Sequence, residues 1–396
     1  MKKKHNCFKN YLNEIAVILA AVIFLIVTSC NRTEEFTPGL AFTQTGSAYS
    51  VSMGSSTSTD VVIPSFYKKL PVTAINDEGF RGQRNLLSIK IPNTITSIGD
   101  TAFDSCVRLN NILLPDSLIS IGDYAFLYCE SLTSITIPAS VKNIGEGTFT
   151  ACADMNIFIV DSGNTFFRSE GNCLIRIADN TLIAGFKNSF LPNTVTSIGD
   201  YAFWDCAGLT SITIPDSVTS IGDYAFNLCY NLTSVIIPDS VTHIGVAAFA
   251  DSGLTSVILP ASLININSAV FLRCKRLTNI LIPDTVTSIG NFAFSDSGLT
   301  SIEIPGRVSL IGNSAFSRNP MSSVIIPDSV THISDEAFFR VTLTNVTIGS
   351  NVTFGKDAFP DSFVNAYNST GKAAGTYTRP NTETLTWVRA RYRSRI

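Results

Sequence analysis

The sequence predicts a mainly β solenoid with short helical turns, wound in about twelve coils. Three observations predict it. The first is a repeat: LTSITIPDSVTSIGDYAF, Leu209 to Phe226, is followed at once by LTSVIIPDSVTHIGVAAF, which ends at Phe249. The closing Phe recurs as Phe80, Phe103, Phe126, Phe149, Phe203, Phe226, Phe249, Phe271, Phe294, Phe316, Phe338 and Phe359. All but one of the steps between these twelve copies are 21–23 residues. A fixed period in the twenties marks stacked coils. The second is spacing within a coil. Val218, Ile221, Ala225, Phe226, Cys229, Leu232, Val235 and Ile237 fall near every third residue, which matches neither a long helix nor a simple strand. The third is composition. Of 396 residues, 45% are hydrophobic and 15% charged, as suits one continuous core that grows by added coils rather than added domains.

The N-terminus reads as an export signal over residues 1–29. Lys2, Lys3, Lys4 and Lys9 form a basic head before the apolar run Ile15 to Val27. That run spans only ~20 Å as a helix, short of the roughly 30 Å hydrocarbon core of a bilayer, so it fits a signal core better than a membrane span. It ends in Val27-Thr28-Ser29-Cys30, which resembles the bacterial lipobox. The resemblance implies that Cys30 is acylated, becomes the mature N-terminus and makes the membrane a partner through a lipid anchor. An ordinary signal cleaved nearby and an uncleaved anchor are the competing readings. Asn31 follows the Cys, so the Asp that commonly marks inner-membrane retention is absent.

Residues 30–60 read as a tether and N-terminal cap. Leu40 to Met53 alternates around Thr45-Gly46, the pattern of a hairpin that closes the open end of a stack. Residues 61–360 form the solenoid. In each coil a segment such as Leu232 to Ile237 is expected as a strand, ended by Pro238, which has no N–H for a ladder. Pro-Asp-Ser makes a turn. Val218 to Ile221 is a second short strand that Gly222 breaks, and Asp223 is placed to cap one helical turn holding Ala225 and Phe226. The exceptional step, Phe149 to Phe203, is 54 residues. It is expected to hold a hairpin insert at about 157–190, with Cys173 to Ile177 and Thr181 to Phe186 flanking the turn. The insert serves either as a binding or bending point or as a plain spacer. Residues 361–396 are the C-terminal cap and a basic tail in which Arg379, Arg389, Arg391, Arg393 and Arg395 crowd together.

The unit IPdSVTsIGdyAFxxCxxLTSI resembles the BspA-like leucine-rich repeat of bacteroidete and spirochaete surface proteins. The Pro, Ile-Gly, Ala-Phe and Leu positions recur together from about Val61 to Phe359. The entry Ile63 to Ile75 resembles that family's first coil, and Ala374 to Trp387 is similar to ends of spirochaete members. The resemblance implies a leucine-rich-repeat solenoid with a role in adhesion to matrix proteins, other microbes or epithelial cells. It carries no catalytic residues to transfer.

Candidate chemistry is sparse. Net charge is −3, which offers no bulk basic field for nucleic acid. His243 and His332 share one repeat slot four coils apart, ~19 Å at ~4.8 Å per coil, so they cannot share a metal and read as surface substitutions of Ser. Cys106, Cys129, Cys152, Cys206, Cys229 and Cys274 all lie three residues after the repeat Phe. Ser252, Ser297 and Asn319 fill the same slot elsewhere, so these thiols read as a buried ladder rather than as disulfides. Asp100, Asp123, Asp200 and Asp223 follow Ile-Gly, and Asp116, Asp216, Asp239, Asp284 and Asp328 follow Pro. Capping and turn roles explain both sets better than calcium, because the glycine-rich nonapeptide of calcium-binding β-rolls is missing. No nucleophile elbow, phosphate loop or zinc motif is present. The expectation is no cofactor, no metal and no catalysis.

One column is free to vary. The fifth residue of L-x-x-I-x-I-P points away from the core and reads Lys90, Leu113, Thr136, then Thr213, Ile236, Ile258, Leu281, Glu303, Ile325, Thr347. Ile236, Ile258 and Leu281 occupy successive coils and, with Ile325, form the candidate protein-binding stripe. The bland alternative is that β-branched residues simply favour strands. The sequence thus reads as a non-enzymatic, lipid-anchored recognition protein of the cell envelope, exposed on the outer membrane, adhesin-like, and binding extracellular-matrix proteins or other cell surfaces through its sheet. A self-associating structural envelope component is the alternative. A carbohydrate-binding or hydrolytic protein is a third reading, disfavoured by the absence of catalytic groupings and the scarcity of Trp.

Overall fold

The computed structural model describes residues 35–390. The export signal, Cys30, and Arg391, Arg393 and Arg395 lie outside the described residues. The chain is a β solenoid, mostly β with one helix among the described residues, Asp361–Ser369. Twelve Phe-bearing coils and one built from the insert make about 13 turns.

Each coil places two strands on different sides of one core. Ser234–Ile236 pairs in parallel with Ser211–Thr213 and with Ser256–Ile258. Ser220–Ile221 pairs with Ser197–Ile198 and His243–Ile244. The turn between them closes at Pro215, whose carbonyl accepts from Val218 N–H at 3.0 Å. The segment containing Leu281 forms no strand, although the coil keeps its other strand, Asn265–Ile266, and nothing in LTNILI distinguishes the segment from its paired neighbours.

The third side departs from expectation. The segment after Ile-Gly is not a helical turn. It is a run of turns with two left-handed residues per coil, two before and two after the Phe, as in Tyr224 (φ 56°) and Leu228 (φ 61°). Such residues cost roughly 1–2 kcal/mol each. They persist because they turn alternate amides toward the next coil: Tyr224, Phe226 and Leu228 N–H donate to Val246, Ala248 and Ala250 at 2.9, 2.7 and 2.9 Å. A helix would have satisfied these groups internally and left the coils unlinked. Asp223 accordingly caps nothing in its own coil. Its Oδ1 accepts from the N–H of Val246 at 2.6 Å, as Asp200 Oδ1 does from Asp223 N–H at 2.7 Å.

Side chains repeat the same coil-to-coil linking. The repeat Phe rings stack face to face, with centroids 5.1 Å apart for Phe203–Phe226 and 5.2 Å for Phe226–Phe249. Cys229 Sγ donates to the Phe203 carbonyl at 3.1 Å, and Ser240 Oγ to the Val218 carbonyl at 2.7 Å.

The long step in the repeat resolves into an ordinary strand and an extra coil. Ile157–Val160 pairs in parallel with Ser134–Ile137, so the additional chain begins after Val160 rather than at 157. It contributes three antiparallel strands, Phe167–Glu170, Cys173–Arg176 and Thr181–Ala184, and the last then pairs in parallel with Ser197–Ile198. Gly185 stands where a coil carries Phe, since its N–H donates to Ala202 O at 2.9 Å as Phe203 N–H does to Ala225 O at 2.8 Å. A Cβ there would lie 2.3 Å from the Phe203 ring, so only Gly fits. The meander divides the core. Leu174 and Ala184 pack toward the N-terminal coils, and Cys173, Ile175 and Leu182 toward the C-terminal ones.

Both ends of the described stack are closed. Ala41–Thr45 and Ala48–Ser52 form an antiparallel hairpin whose second strand pairs with Leu70–Ile75. At the other end, the helix buries Phe363 and Tyr367, and Gly375–Thr378 pairs antiparallel with Asn345–Ile348. Arg379 belongs to this cap and not to a solvated basic tail. It is buried, donates from Nε to the Leu343 carbonyl at 2.7 Å, and lies 4.8 Å over the Trp387 ring.

Candidate functional site

The two strands of a coil differ in what they present. In Ser234-Val235-Ile236, Val235 is buried while Ser234 and Ile236 face outward, because successive side chains in a strand alternate. In-register parallel pairing then turns each outward slot into a column, Thr213 beside Ile236 beside Ile258. Exposure is 65% for Ile236, 64% for Ile258, 84% for Leu281 and 46% for Ile325. The first three stand in consecutive coils. Ile325 is separated from them by the charged Glu303, with which it pairs.

The column is longer than the repeat pattern indicates. Ile159 pairs with Thr136 and is exposed, because Met155-Asn156-Ile157-Phe158-Ile159-Val160 is a strand segment in which Met replaces Leu and Asp161 replaces Pro. Phe190 is 66% exposed, precedes buried Leu191 and Pro192, and so takes the outward slot of the extra coil. The Val195 N–H to Pro192 O bond of 3.0 Å repeats the turn of the regular coils. Both residues escape a search for L-x-x-I-x-I-P, though an apolar-x-Pro ending marks Phe190. Leu113, 75% exposed, belongs to the same column. Beside it runs a mainly polar column, including Ser88, Asn111, Ser134, Ser211, Ser234 and Ser256, which the exposed Ile157 interrupts next to Ser134.

The other candidate groups are occupied with structure. Seven cysteines, Cys106, Cys129, Cys152, Cys173, Cys206, Cys229 and Cys274, are free thiols. Burial pushes the thiols of Cys106, Cys152, Cys206 and Cys274 up to about 12, so they stay protonated at neutral pH, the unreactive state of a buried structural thiol. Ser297 and Asn319 take over the thiol's bond to the preceding Phe carbonyl, at 3.4 and 2.7 Å. His332 Nδ1 bonds Thr353 Oγ1 at 2.9 Å, and His243 is exposed. Among the described residues no cluster of His, Cys, Asp or Glu could hold a metal ion. Nor is any helix there long and apolar enough to cross a membrane.

With this geometry in view, the model of the BspA-type leucine-rich repeat region matches residues 55–172, 184–253 and 242–365. The chain belongs to the BspA-type leucine-rich repeat family. The gap in the match, residues 173–183, falls on the second and third strands of the insert. Among solved structures, this BspA-type chain is similar to a leucine-rich repeat protein from Eubacterium ventriosum, at 22% identity and a TM-score of 0.52, covering 72% of this chain and 93% of that one. It is also similar to the pneumococcal vaccine antigen PcpA, at 19% identity and a TM-score of 0.51, covering 82% and 98%. At these identities the likeness concerns the fold. No curated protein matches.

Proposed function

We propose that this BspA-type chain is a lipid-anchored, non-enzymatic recognition protein of the outer cell surface, with Cys30 as its anchor and the outward column as its binding face. The observation that carries this reading is the exposed aliphatic run Ile236, Ile258 and Leu281 in consecutive coils, where the neighbouring outward slot holds Ser234, Ser256 and Asn279. Solvated sheet faces are ordinarily polar, and contiguous exposed apolar residues mark interfaces. Leucine-rich repeats are in general protein-interaction modules, which supports a protein partner: a matrix protein or the surface of another cell. Three aliphatic contacts at roughly 1.5–3 kcal/mol each, before association costs, give weak affinity per molecule. Adhesion then depends on many anchored copies acting together.

The test is a binding screen of the full-length chain against matrix proteins and whole cells, run beside a variant carrying Ile236→Thr, Ile258→Thr and Leu281→Thr. Loss of binding with unchanged thermal unfolding supports the reading, and equal binding by both proteins overturns it. Anchoring is tested separately by detergent phase partition of wild type and Cys30→Ala. The variant is expected in the aqueous phase, and its retention in the detergent phase would refute a lipid on Cys30.

A further inference from the structure

The outward column carries a symmetry that a general preference of strands for branched residues does not require. Lys90 and Glu303 are its only charged members among the described residues. Both are exposed, and neither makes an ion pair there. Lys90 is the second outward slot, after Val62, and Glu303 stands just before the last two, Ile325 and Thr347. Reversing the column about the point between Phe190 and Thr213 brings Lys90 opposite Glu303. The same reversal sets Val62 opposite Ile325, Leu113 opposite Leu281, and Ile159 opposite Ile236. Thr136 and Thr213 then offer their methyl groups to Ile258 and Phe190. The neighbouring column matches in part, with Ser88 opposite Ser301 and Asn111 opposite Asn279, while Asp60 meets Ser323 and Ile157 meets Ser234. This register overlaps every slot but Thr347, whose Oγ1 is already engaged by Thr376 of the C-terminal cap at 2.9 Å.

We infer that this face pairs with the same face of a second copy, the two stacks running antiparallel about a two-fold axis parallel to the strands. Such an axis keeps each column facing its own counterpart, so along the outward column apolar meets apolar or a Thr methyl, and the Lys90–Glu303 contact forms twice. It is an isologous interface, the kind that closes as a dimer. Twelve slots at ~4.8 Å give a contact ~58 Å long, and four residues of strand make it ~13 Å wide. The resulting ~750 Å² per copy approaches the roughly 800 Å² per partner of a standard interface. The pairing places the two N-termini at opposite ends. Given the anchored-surface reading above, on which this consequence rests, the two anchors would insert into opposed membranes. The partner class is therefore the same protein on a neighbouring cell, a homotypic cell-to-cell contact.

A charge exchange tests the register without depending on the anchor. Full-length wild type, Lys90→Glu and Glu303→Lys are compared by sedimentation equilibrium in mild detergent, each alone and with the two variants mixed. Wild type is expected to dimerise and each variant alone to pair roughly 10-fold more weakly, because like charges then face each other twice. The equimolar mixture is expected to recover wild-type association. In the mixed pair the new carboxylate of the Lys90→Glu chain meets the new ammonium of the Glu303→Lys chain. The unchanged Glu303 of the first chain meets the unchanged Lys90 of the second, so both contacts are attractive again. A purely structural role for either side chain cannot produce that recovery. Monomeric wild type at all concentrations, unaltered association of the single variants, or a mixture no stronger than its components would each overturn the pairing. The binding of a different protein to this face would survive that outcome, because it is read in the screen against matrix and cells. Cells displaying wild type should likewise clump with one another, and the two variant populations should clump more strongly when mixed than either does alone.

Discussion

Replacing Gly222 by Ala sets two physical expectations of opposite sign against each other. Gly222 does not have a left-handed φ, so backbone entropy alone favours Ala by ~0.4–1 kcal/mol. The packing of the coils says the reverse. A Cβ on Gly222 would lie 2.3 Å from Asp200 Oδ1 and 2.6 Å from Asp200 N. That carboxylate cannot swing aside freely, because it accepts the N–H of Asp223 at 2.7 Å. Moving it forfeits a charge-assisted hydrogen bond of about 1.5–3 kcal/mol, and any residual crowding of the backbone adds about 1–3 kcal/mol. After the entropic gain, a net loss of ~2–4 kcal/mol is expected. Urea unfolding followed by the fluorescence of Trp204, one coil back, and by far-ultraviolet circular dichroism measures it. A second variant, Asp200→Gly with Gly222→Ala, removes the obstructing carboxylate and should lose less than the two single changes added together. A Gly222→Ala protein as stable as wild type would refute the idea that Gly is needed there for the carboxylate of the preceding coil.

Other consequences are more direct. Phe226→Ala removes a fully buried ring stacked on both sides, and a loss of about 3–5 kcal/mol is expected in the same urea assay. Cys229→Ser should cost less than about 1.5 kcal/mol, since a hydroxyl can take over the bond to the Phe203 carbonyl as Ser297 does in its own coil. Because the folded thiols of Cys106, Cys152 and Cys274 titrate near about 12 and unfolded ones at roughly 8.5, they bind protons more tightly in the folded state. Their contribution is fully present below the unfolded pKa and is lost as pH rises toward the folded one. The urea midpoint should therefore hold from about pH 6 to 8 and fall above about pH 9, and fall less when all three are Ser. The same burial should leave these thiols unreactive to a disulfide reagent at about pH 8 until denaturant is added.

The solenoid and its family were legible because every coil solves the same packing problem with the same residues, so twelve imperfect copies average out their exceptions. The direction in which each polar group bonds was not legible. Asp223 after Gly222 has the sequence look of a helix cap, but Tyr224 and Leu228 adopt left-handed backbone, and the carboxylate serves the coil that follows. That choice depends on a neighbour 23 residues away, which no local pattern encodes. Arg379 misleads in the same way: grouped by sequence with the terminal arginines, it is drawn into the cap by the Leu343 carbonyl and the Trp387 ring. The outward stripe was visible where the repeat is regular, at Ile236, Ile258 and Leu281. Its extension to Ile159 and Phe190 was hidden, because Met155 and Asp161 replace the Leu and Pro landmarks and Gly185 replaces the repeat Phe.

The binding face is tested most directly by asking which side of the solenoid touches a partner on living cells. A photo-crosslinking residue is placed at Ile258 in the outward column, or at Asp239 on the exposed turn side, in the full-length protein displayed by the cell. Illumination among bound matrix or neighbouring cells is expected to give adducts from position 258 and none above background from position 239. Adducts from 239 with none from 258 would contradict the assignment of recognition to the outward column.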